Sequence, residues 1–241
     1  MKLNFDNPRC QRASLTFYLW YNFSMGQNRD YKIFAKGSFH HIYNRGNNKE
    51  IVFRDEQDYR AFLFRLGLGL GIEKGDLNEC EITKSLKSRI RINGLKPENF
   101  KLHSFCLMPN HLHLLIEQCG DESISKLISR VFTSFSKYIN LKYERVGHVF
   151  QDQFKSVQIK TNPQLMLVSS YIHMNPVKDS LVNNPEEYKW SSYSDFIVDR
   201  KNQIVHKQFL TEIFGGTKNF INENTKLYKR IVSKGIFDTI D

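Results

Sequence analysis

The fold is decided by residues 101–117, which read KLHSFCLMPNHLHLLIE. Two runs of apolar and β-prone residues flank a Pro-Asn pair. That pair favours a turn, because proline fixes its own φ angle and asparagine tolerates turn geometry. The stretch therefore predicts a β-hairpin, with one strand over 101–108 and the other in the HLHLLIE segment that ends at Glu117.

Strands and helices predicted on both sides of the hairpin give the order of secondary-structure elements. Turn signals, helix caps and apolar periodicity predict a strand over 39–44, a helix over 55–70, a helix over 123–142, a strand over 154–160 and a helix over 162–174. In the last helix we predict Asn162 as the N-cap and Pro176 as the end, because the residue before a proline avoids the α region. The order β-α-β-β-α-β, then a helix, predicts an α+β fold: a ferredoxin-like split β-α-β with a central antiparallel sheet and this last helix packed beside it.

Composition narrows the class of protein. At 40% hydrophobic and 13% aromatic residues, the chain is too apolar for extended disorder. Lys and Arg number 35 against 25 acidic residues, a net charge of +10, which favours a polyanionic partner such as nucleic acid.

The apolar run 15–23 is too short to span about 30 Å of hydrocarbon, so no membrane segment is expected. The four cysteines form no C-x-x-C pair; they are typical of reduced thiols and predict a cytoplasmic protein.

The chain divides into three parts by its patterning. Residues 1–30 form an N-terminal tail of uncertain status, 31–197 carry the patterned domain, and 198–241 form a C-terminal extension. Within the domain, 71–99 is predicted to be a long basic loop or a small hairpin. Its basic residues either contact nucleic acid or belong to a solvated loop: Lys84, Lys87, Arg89 and Arg91.

Two histidines at the hairpin mouth are candidate metal ligands. His111 and His113 are two positions apart on a strand, so they face the same side of the sheet, while Leu112 points into the core. Two imidazoles at this spacing can share one divalent cation and leave most of its coordination sphere open for a substrate oxygen. The alternative is a pair of surface histidines without a ligand. Of His40 and His41 on the first strand, only one can face this site, and the other is expected to be exposed.

A tyrosine in the last helix is a candidate nucleophile. Tyr171 and Asn175 are four positions apart and therefore share a helical face. A tyrosine hydroxyl can attack phosphorus and form a covalent intermediate. Asn175 can offer a neutral carbonyl oxygen as a third metal ligand. The alternative is a tyrosine that is only packed in the core.

Four segments carry a resemblance to a known family. HSFCLMPNHLHLLIE, GHVFQDQFKS, YIHMNPVKDSLV and WSSY, in this order, resemble the REP-associated tyrosine transposases. These are the IS200-like branch of the HUH single-tyrosine DNA nucleases, and the resemblance covers roughly 32–197. It implies that His111, His113 and Asn175 bind Mg²⁺ or Mn²⁺ and that Tyr171 is the nucleophile. It also implies the ferredoxin-like fold and no small-molecule cofactor.

The activity implied is cleavage and rejoining of single-stranded DNA at sites beside palindromic hairpins, through a 5′-phosphotyrosine intermediate. Such a protein acts as a monomer or a homodimer. Two alternatives stay open: a domesticated, non-catalytic DNA- or RNA-binding protein on the same fold, and a hydrolase that uses an activated water while Tyr171 is merely packed. The residues predicted to contact nucleic acid are Asn44, Arg45, His148 and Lys155.

Overall fold

The computed structural model describes residues 34–84, 92, 94–198 and 204–233. The predicted N-terminal tail over 1–30 lies outside the described residues, as do Lys87, Arg89 and Arg91 of the basic segment. Within the described ranges, none of the helices has the length and apolar character needed to cross a membrane.

A four-stranded antiparallel sheet forms the centre of the domain. Its strands are β1 (Ser38–Arg45), β2 (Phe100–Leu107), β3 (His111–Gln118) and β4 (Lys155–Ile159). They lie in the order β2-β3-β1-β4, and each neighbouring pair is antiparallel. The predicted hairpin is β2–β3, and the predicted split β-α-β order is confirmed. The register places Tyr43 opposite His113 and Arg45 opposite His111.

The described residues form seven α-helices. They are α1 (Glu56–Gly69), α2 (Lys74–Glu79), α3 (Ile124–Lys142), α4 (Asn162–Lys178), α5 (Tyr193–Ile197), α6 (Lys207–Phe214) and α7 (Thr217–Ser233). Asp55 caps α1 in a reciprocal pair with Asp58, and the Ser123 side chain accepts from the Lys126 N–H at the start of α3. Both N-termini agree with the sequence, because these short polar side chains satisfy amides that have no partner inside the helix.

Helix α4 corrects the predicted boundaries at both ends. Its N-cap is Thr161, whose side chain accepts from the Gln164 N–H, so Asn162 is the first helical residue. The helix also continues through Pro176 to Lys178. A proline removes only its own N–H from the helical ladder. The next bond across it survives, since Asp179 N–H donates to the Asn175 carbonyl at 3.0 Å.

The short helix α2 lies in the segment predicted to be a loop or hairpin. Leu77 is its one buried residue and packs against α1 at Gly67. A Cβ at Gly67 would come within 2.5 Å of the Leu77 side chain, so the glycine permits the close approach of the two helices. One buried leucine gives too little periodicity for a sequence-based prediction.

Helices α1 and α3 are joined by a buried carboxylate. Asp58 is fully buried and accepts hydrogen bonds from Lys142 Nζ at 2.8 Å, Tyr138 Oη at 3.0 Å and Tyr143 Oη at 2.7 Å. The N-terminus of α1 is thus tied to the last turns of α3. A buried charge is tolerated in this way because several donors replace its water.

The WSSY segment connects the outer edge of the sheet to α4. Ser192 and Phe105 exchange hydrogen bonds, from Ser192 N–H to the Phe105 carbonyl at 3.0 Å and from Phe105 N–H to Ser192 Oγ at 2.9 Å. The same Oγ lies 2.8 Å from His173 Nε2 on α4. Ser192 therefore fixes the distance between strand β2 and helix α4.

The C-terminal helices pack on the domain rather than standing apart from it. Phe220 of α7 stacks on Phe196 with ring centroids 4.5 Å apart and meets the His173 ring edge-on at 5.7 Å. His206 N–H donates to the Leu102 carbonyl at 2.8 Å and extends the hydrogen bonding at the edge of β2. The extension therefore shares a core with α4.

Candidate metal and tyrosine site

The two histidines of β3 lie on one face of the sheet beneath α4. His111 is 5% exposed and His113 2% exposed, and their rings meet edge-on with centroids 5.1 Å apart. Leu112 between them is fully buried on the opposite face. The strand alternation that the sequence predicts thus brings both imidazoles to one place.

The turn residue Asn110 determines which nitrogen of His111 is protonated. Its Oδ1 lies 2.7 Å from His111 Nδ1, while its Nδ2 donates to the Lys49 carbonyl at 3.3 Å. An amide oxygen only accepts, so Nδ1 of His111 carries the proton. Nε2 of His111 is then the nitrogen with a lone pair, which is the form that binds a metal.

Helix α4 brings Tyr171 and Asn175 to the same place. Tyr171 is 3% exposed, and its ring meets the His113 ring edge-on at 5.4 Å. One turn later, Asn175 is fully buried and its Nδ2 donates to the Tyr171 carbonyl at 2.8 Å. This bond fixes the amide so that Oδ1 is turned away from the helix backbone.

The donor atoms fit a divalent cation. His113 Nε2 and Asn175 Oδ1 are buried and have no hydrogen-bond partner among the described residues. Leaving such groups without a partner costs about 1–3 kcal/mol each, which a bound ligand would offset. Two imidazole nitrogens and an amide oxygen are a mixed set that Mg²⁺ or Mn²⁺ can accept. In the described part of the chain, no group of three His, Cys, Asp or Glu side chains is arranged to hold a metal ion; the third donor here is an amide.

Burial and nearby basic groups keep the His113 imidazole neutral. The pKa of His113 lies well below its usual value, mainly because the ring is buried and also because of the neighbouring basic groups His111, His41, Lys178 and Arg45. Burial lowers the pKa of His41 to about 3. Neutral rings can coordinate a metal, and the surrounding cations suit an anionic group such as a phosphate.

The residues predicted to contact nucleic acid have different surroundings. Arg45 is half-buried at the end of β1, opposite His111. Lys155 and His148 are exposed, and Lys155 Nζ lies 5.7 Å from the centre of the Tyr43 ring on the site face. Asn44 is buried: its Nδ2 donates to the Asp152 carbonyl at 3.1 Å, which holds the loop before β4 against β1.

Two residues near the site were not assigned a role from the sequence. His41 is the histidine of β1 that faces the site, and His40 faces away; both are buried, so the expected exposed histidine is not found. Lys178 is half-buried in the last turn of α4 and its charge reaches His113. The spacing of Tyr171, Asn175 and Lys178 at i, i+4 and i+7 was the available signal.

The antiparallel sheet of this chain thus presents a His-x-His pair to a tyrosine on a flanking helix. Residues 77–175, which include both histidines, Tyr171 and Asn175, match the family model described as "Transposase IS200 like". The resemblance predicted from the sequence is confirmed over this segment.

A solved structure has the same fold. It is described as a REP-associated tyrosine transposase bound to a REP hairpin, and it is 14% identical to this chain with a TM-score of 0.51. The match covers 71% of this chain and 86% of that one. Comparison with curated protein sequences gives no match.

Proposed function

We propose that this protein is a metal-dependent tyrosine transposase that cleaves and rejoins single-stranded DNA beside hairpins. The observation that carries the proposal is the position of Tyr171, whose ring lies 5.4 Å from that of His113. Asn175 Oδ1, one turn away, is buried with no hydrogen-bond partner in the described residues. A merely packed tyrosine would need no such group of donors around it.

Each residue has a role in the proposed reaction. Tyr171 Oη gives up its proton and attacks the scissile phosphorus, the bond from phosphorus to the 3′ oxygen breaks, and that oxygen takes up a proton, which leaves a 5′-phosphotyrosine and a free 3′-hydroxyl. His111, His113 and Asn175 would hold Mg²⁺ or Mn²⁺, which would supply positive charge that polarises the phosphate. A 3′-hydroxyl of another DNA end reverses the step without ATP, because the phosphotyrosine bond conserves the energy of the phosphodiester.

Charge and shape support a DNA hairpin as the partner. The chain carries a net charge of +10, and Arg45, Lys155 and Lys178 lie on or beside the site face. We assign phosphate contacts to these three residues and to His148 on the neighbouring loop, whereas the buried Asn44 holds the loop before β4 in place. The similar solved structure is bound to a REP hairpin. We place the reaction in the cytoplasm, since the three cysteines of the described residues are free thiols, with the protein acting as a monomer or homodimer.

A covalent-adduct assay tests this function. The full chain is incubated with end-labelled, hairpin-bearing single-stranded DNA from beside its own gene, with Mn²⁺ or Mg²⁺, and run on a denaturing gel. We expect a protein–DNA band that disappears with chelator and with Tyr171→Phe, which removes only the attacking oxygen. Tyr228→Phe, a half-buried tyrosine on α7 away from the site, is the matched control and should retain the band.

The other outcomes each exclude the proposal. Cleavage without an adduct would assign the chain to hydrolases that activate water. Binding without cleavage or adduct, across several hairpins and with both metals, would leave a non-catalytic DNA- or RNA-binding protein. DNA affinity is measured in parallel, because Tyr171→Phe should leave binding within about twofold if the hydroxyl serves chemistry alone.

A further inference from the structure

A third histidine lies against the site and has no role in the proposed reaction. His41, in the middle of β1, is fully buried, and its Nε2 lies 3.0 Å from Nδ1 of His113. The two rings stack with centroids 5.2 Å apart and an interplanar angle of 24°. The same ring meets Tyr171 edge-on at 5.9 Å. His41 thus contacts both the candidate ligand and the candidate nucleophile.

The direction of this hydrogen bond decides whether His113 can bind a metal. Two neutral imidazoles share one proton in such a contact, so one ring donates and the other accepts. If His41 donated, His113 would carry its own proton on Nε2 and would have no lone pair for a cation. If His113 Nδ1–H donates, Nε2 of His113 keeps the lone pair and, buried without a partner in the described residues, is available as a ligand.

We propose that His41 is a positioning residue that accepts the N–H of His113 Nδ1 and thereby directs Nε2 of His113 toward the metal. This inference rests on the proposed function. His41 does for His113 what Asn110 does for His111, where an oxygen acceptor lies 2.7 Å from Nδ1. Each ligand therefore has one neighbour that fixes both its tautomer and its ring orientation.

Two variants separate the hydrogen bond from the packing. His41→Phe keeps a ring against both His113 and Tyr171 but has no acceptor. His41→Gln keeps an acceptor at about the distance of Nε2 from the backbone. His40→Gln is the control, because His40 is the next residue of β1, is also buried, and bonds Ser38 and Ser156 on the opposite face.

The first measurement is Mn²⁺ affinity of the full chain without DNA, from the electron paramagnetic resonance signal of free Mn²⁺. We expect His41→Phe to weaken binding about 10–100-fold, the usual effect of losing an outer-sphere partner of a ligating histidine. His41→Gln should recover most of the affinity, and His40→Gln should match the wild type. Equal Mn²⁺ affinity in His41→Phe and wild type would overturn the inference.

The second measurement needs neither metal nor activity. Long-range ¹H–¹⁵N correlation spectra of the ¹⁵N-histidine-labelled chain report which nitrogen of each ring is protonated. We expect the Nδ1–H form for His113 in the wild type, and a ring protonated on Nε2 would refute the proposal. This spectrum decides the question even if His41→Phe fails to fold.

The two proposals can fail separately. A wild-type chain that forms adducts while His41→Phe binds Mn²⁺ normally would refute the role of His41 and leave the transposase intact. A wild type that forms no adduct, yet shows the Nδ1–H tautomer and weaker Mn²⁺ binding in His41→Phe, would refute the transposase and keep the positioning role.

Discussion

The substitution Phe220→Ala should destabilise the whole domain, although Phe220 belongs to the C-terminal extension. The side chain is fully buried. Its ring contacts the rings of four residues from the three helices α4, α5 and α6: His173, Tyr193, Phe196 and Phe214. Truncating a buried phenylalanine costs about 3–5 kcal/mol through lost transfer energy and the cavity left behind. For a domain of this size the melting temperature should fall by about 6–20 °C.

Urea unfolding is the assay, followed by far-ultraviolet circular dichroism and by the fluorescence of the buried Trp190, which stacks on Tyr59 of α1. Both probes should report one shared transition at lower urea. Ile221→Ala is the matched control, since this neighbour on α7 is 38% exposed, and it should change the free energy of unfolding by less than about 1 kcal/mol. A separate early transition, or a loss below about 1 kcal/mol for Phe220→Ala, would refute the shared core.

Three further substitutions test other parts of the structure. Asp58→Ala removes the buried acceptor of Tyr138 and Tyr143 and one of the two carboxylates that Lys142 contacts, and it should cost about 1–3 kcal/mol in urea unfolding. Burial lowers the pKa of His40 from 6.5 to about 4. As the pH decreases, the unfolded chain therefore takes up the proton first, and the free energy of unfolding decreases by at most about 1.4 kcal/mol per pH unit between about pH 6.5 and 4. His40→Gln should flatten that slope by about one proton. Lys178→Gln should lower the salt slope of single-stranded DNA binding by about 0.7 in fluorescence anisotropy.

For each of these three substitutions, one result would contradict the prediction. A loss below about 1 kcal/mol for Asp58→Ala would mean that the buried network contributes little. Parallel stability curves of wild type and His40→Gln from pH 7 to pH 5 would show that His40 titrates normally in the folded chain. An unchanged salt slope for Lys178→Gln would remove this lysine from the DNA contacts.

Much of the sheet follows from local sequence. Alternation through HLHLLIE and the Pro-Asn turn determine which side chains of β3 share a face, since side-chain direction in a strand has a period of two. Capping residues likewise place the starts of α1 and α3. These features depend on neighbours a few positions away, and so they can be predicted from one sequence.

The features that the sequence does not predict depend on contacts between residues far apart in the chain. The role of His41 depends on the register that sets His41 opposite Leu115 and Tyr43 opposite His113, and alternation within β1 alone does not fix a register. Pro176 ends a helix by local rules, yet here the packing of α4 keeps the α conformation through it. The burial of His40 by Ser38 and Ser156 joins β1 to β4, which no local pattern reveals.

The position of Tyr171 is fixed by contacts of neighbouring α4 residues that take no part in the chemistry. Two residues before Tyr171, Ser169 Oγ lies 3.0 Å from Ser104 Oγ on β2, and two residues after it, His173 bonds Ser192 and packs on Phe220. These contacts clamp α4 on either side of Tyr171, within the chain that also supplies His111 and His113. The Phe220→Ala chain, in which the contacts that hold α4 in place are loosened, should therefore lose adduct formation before it loses DNA binding.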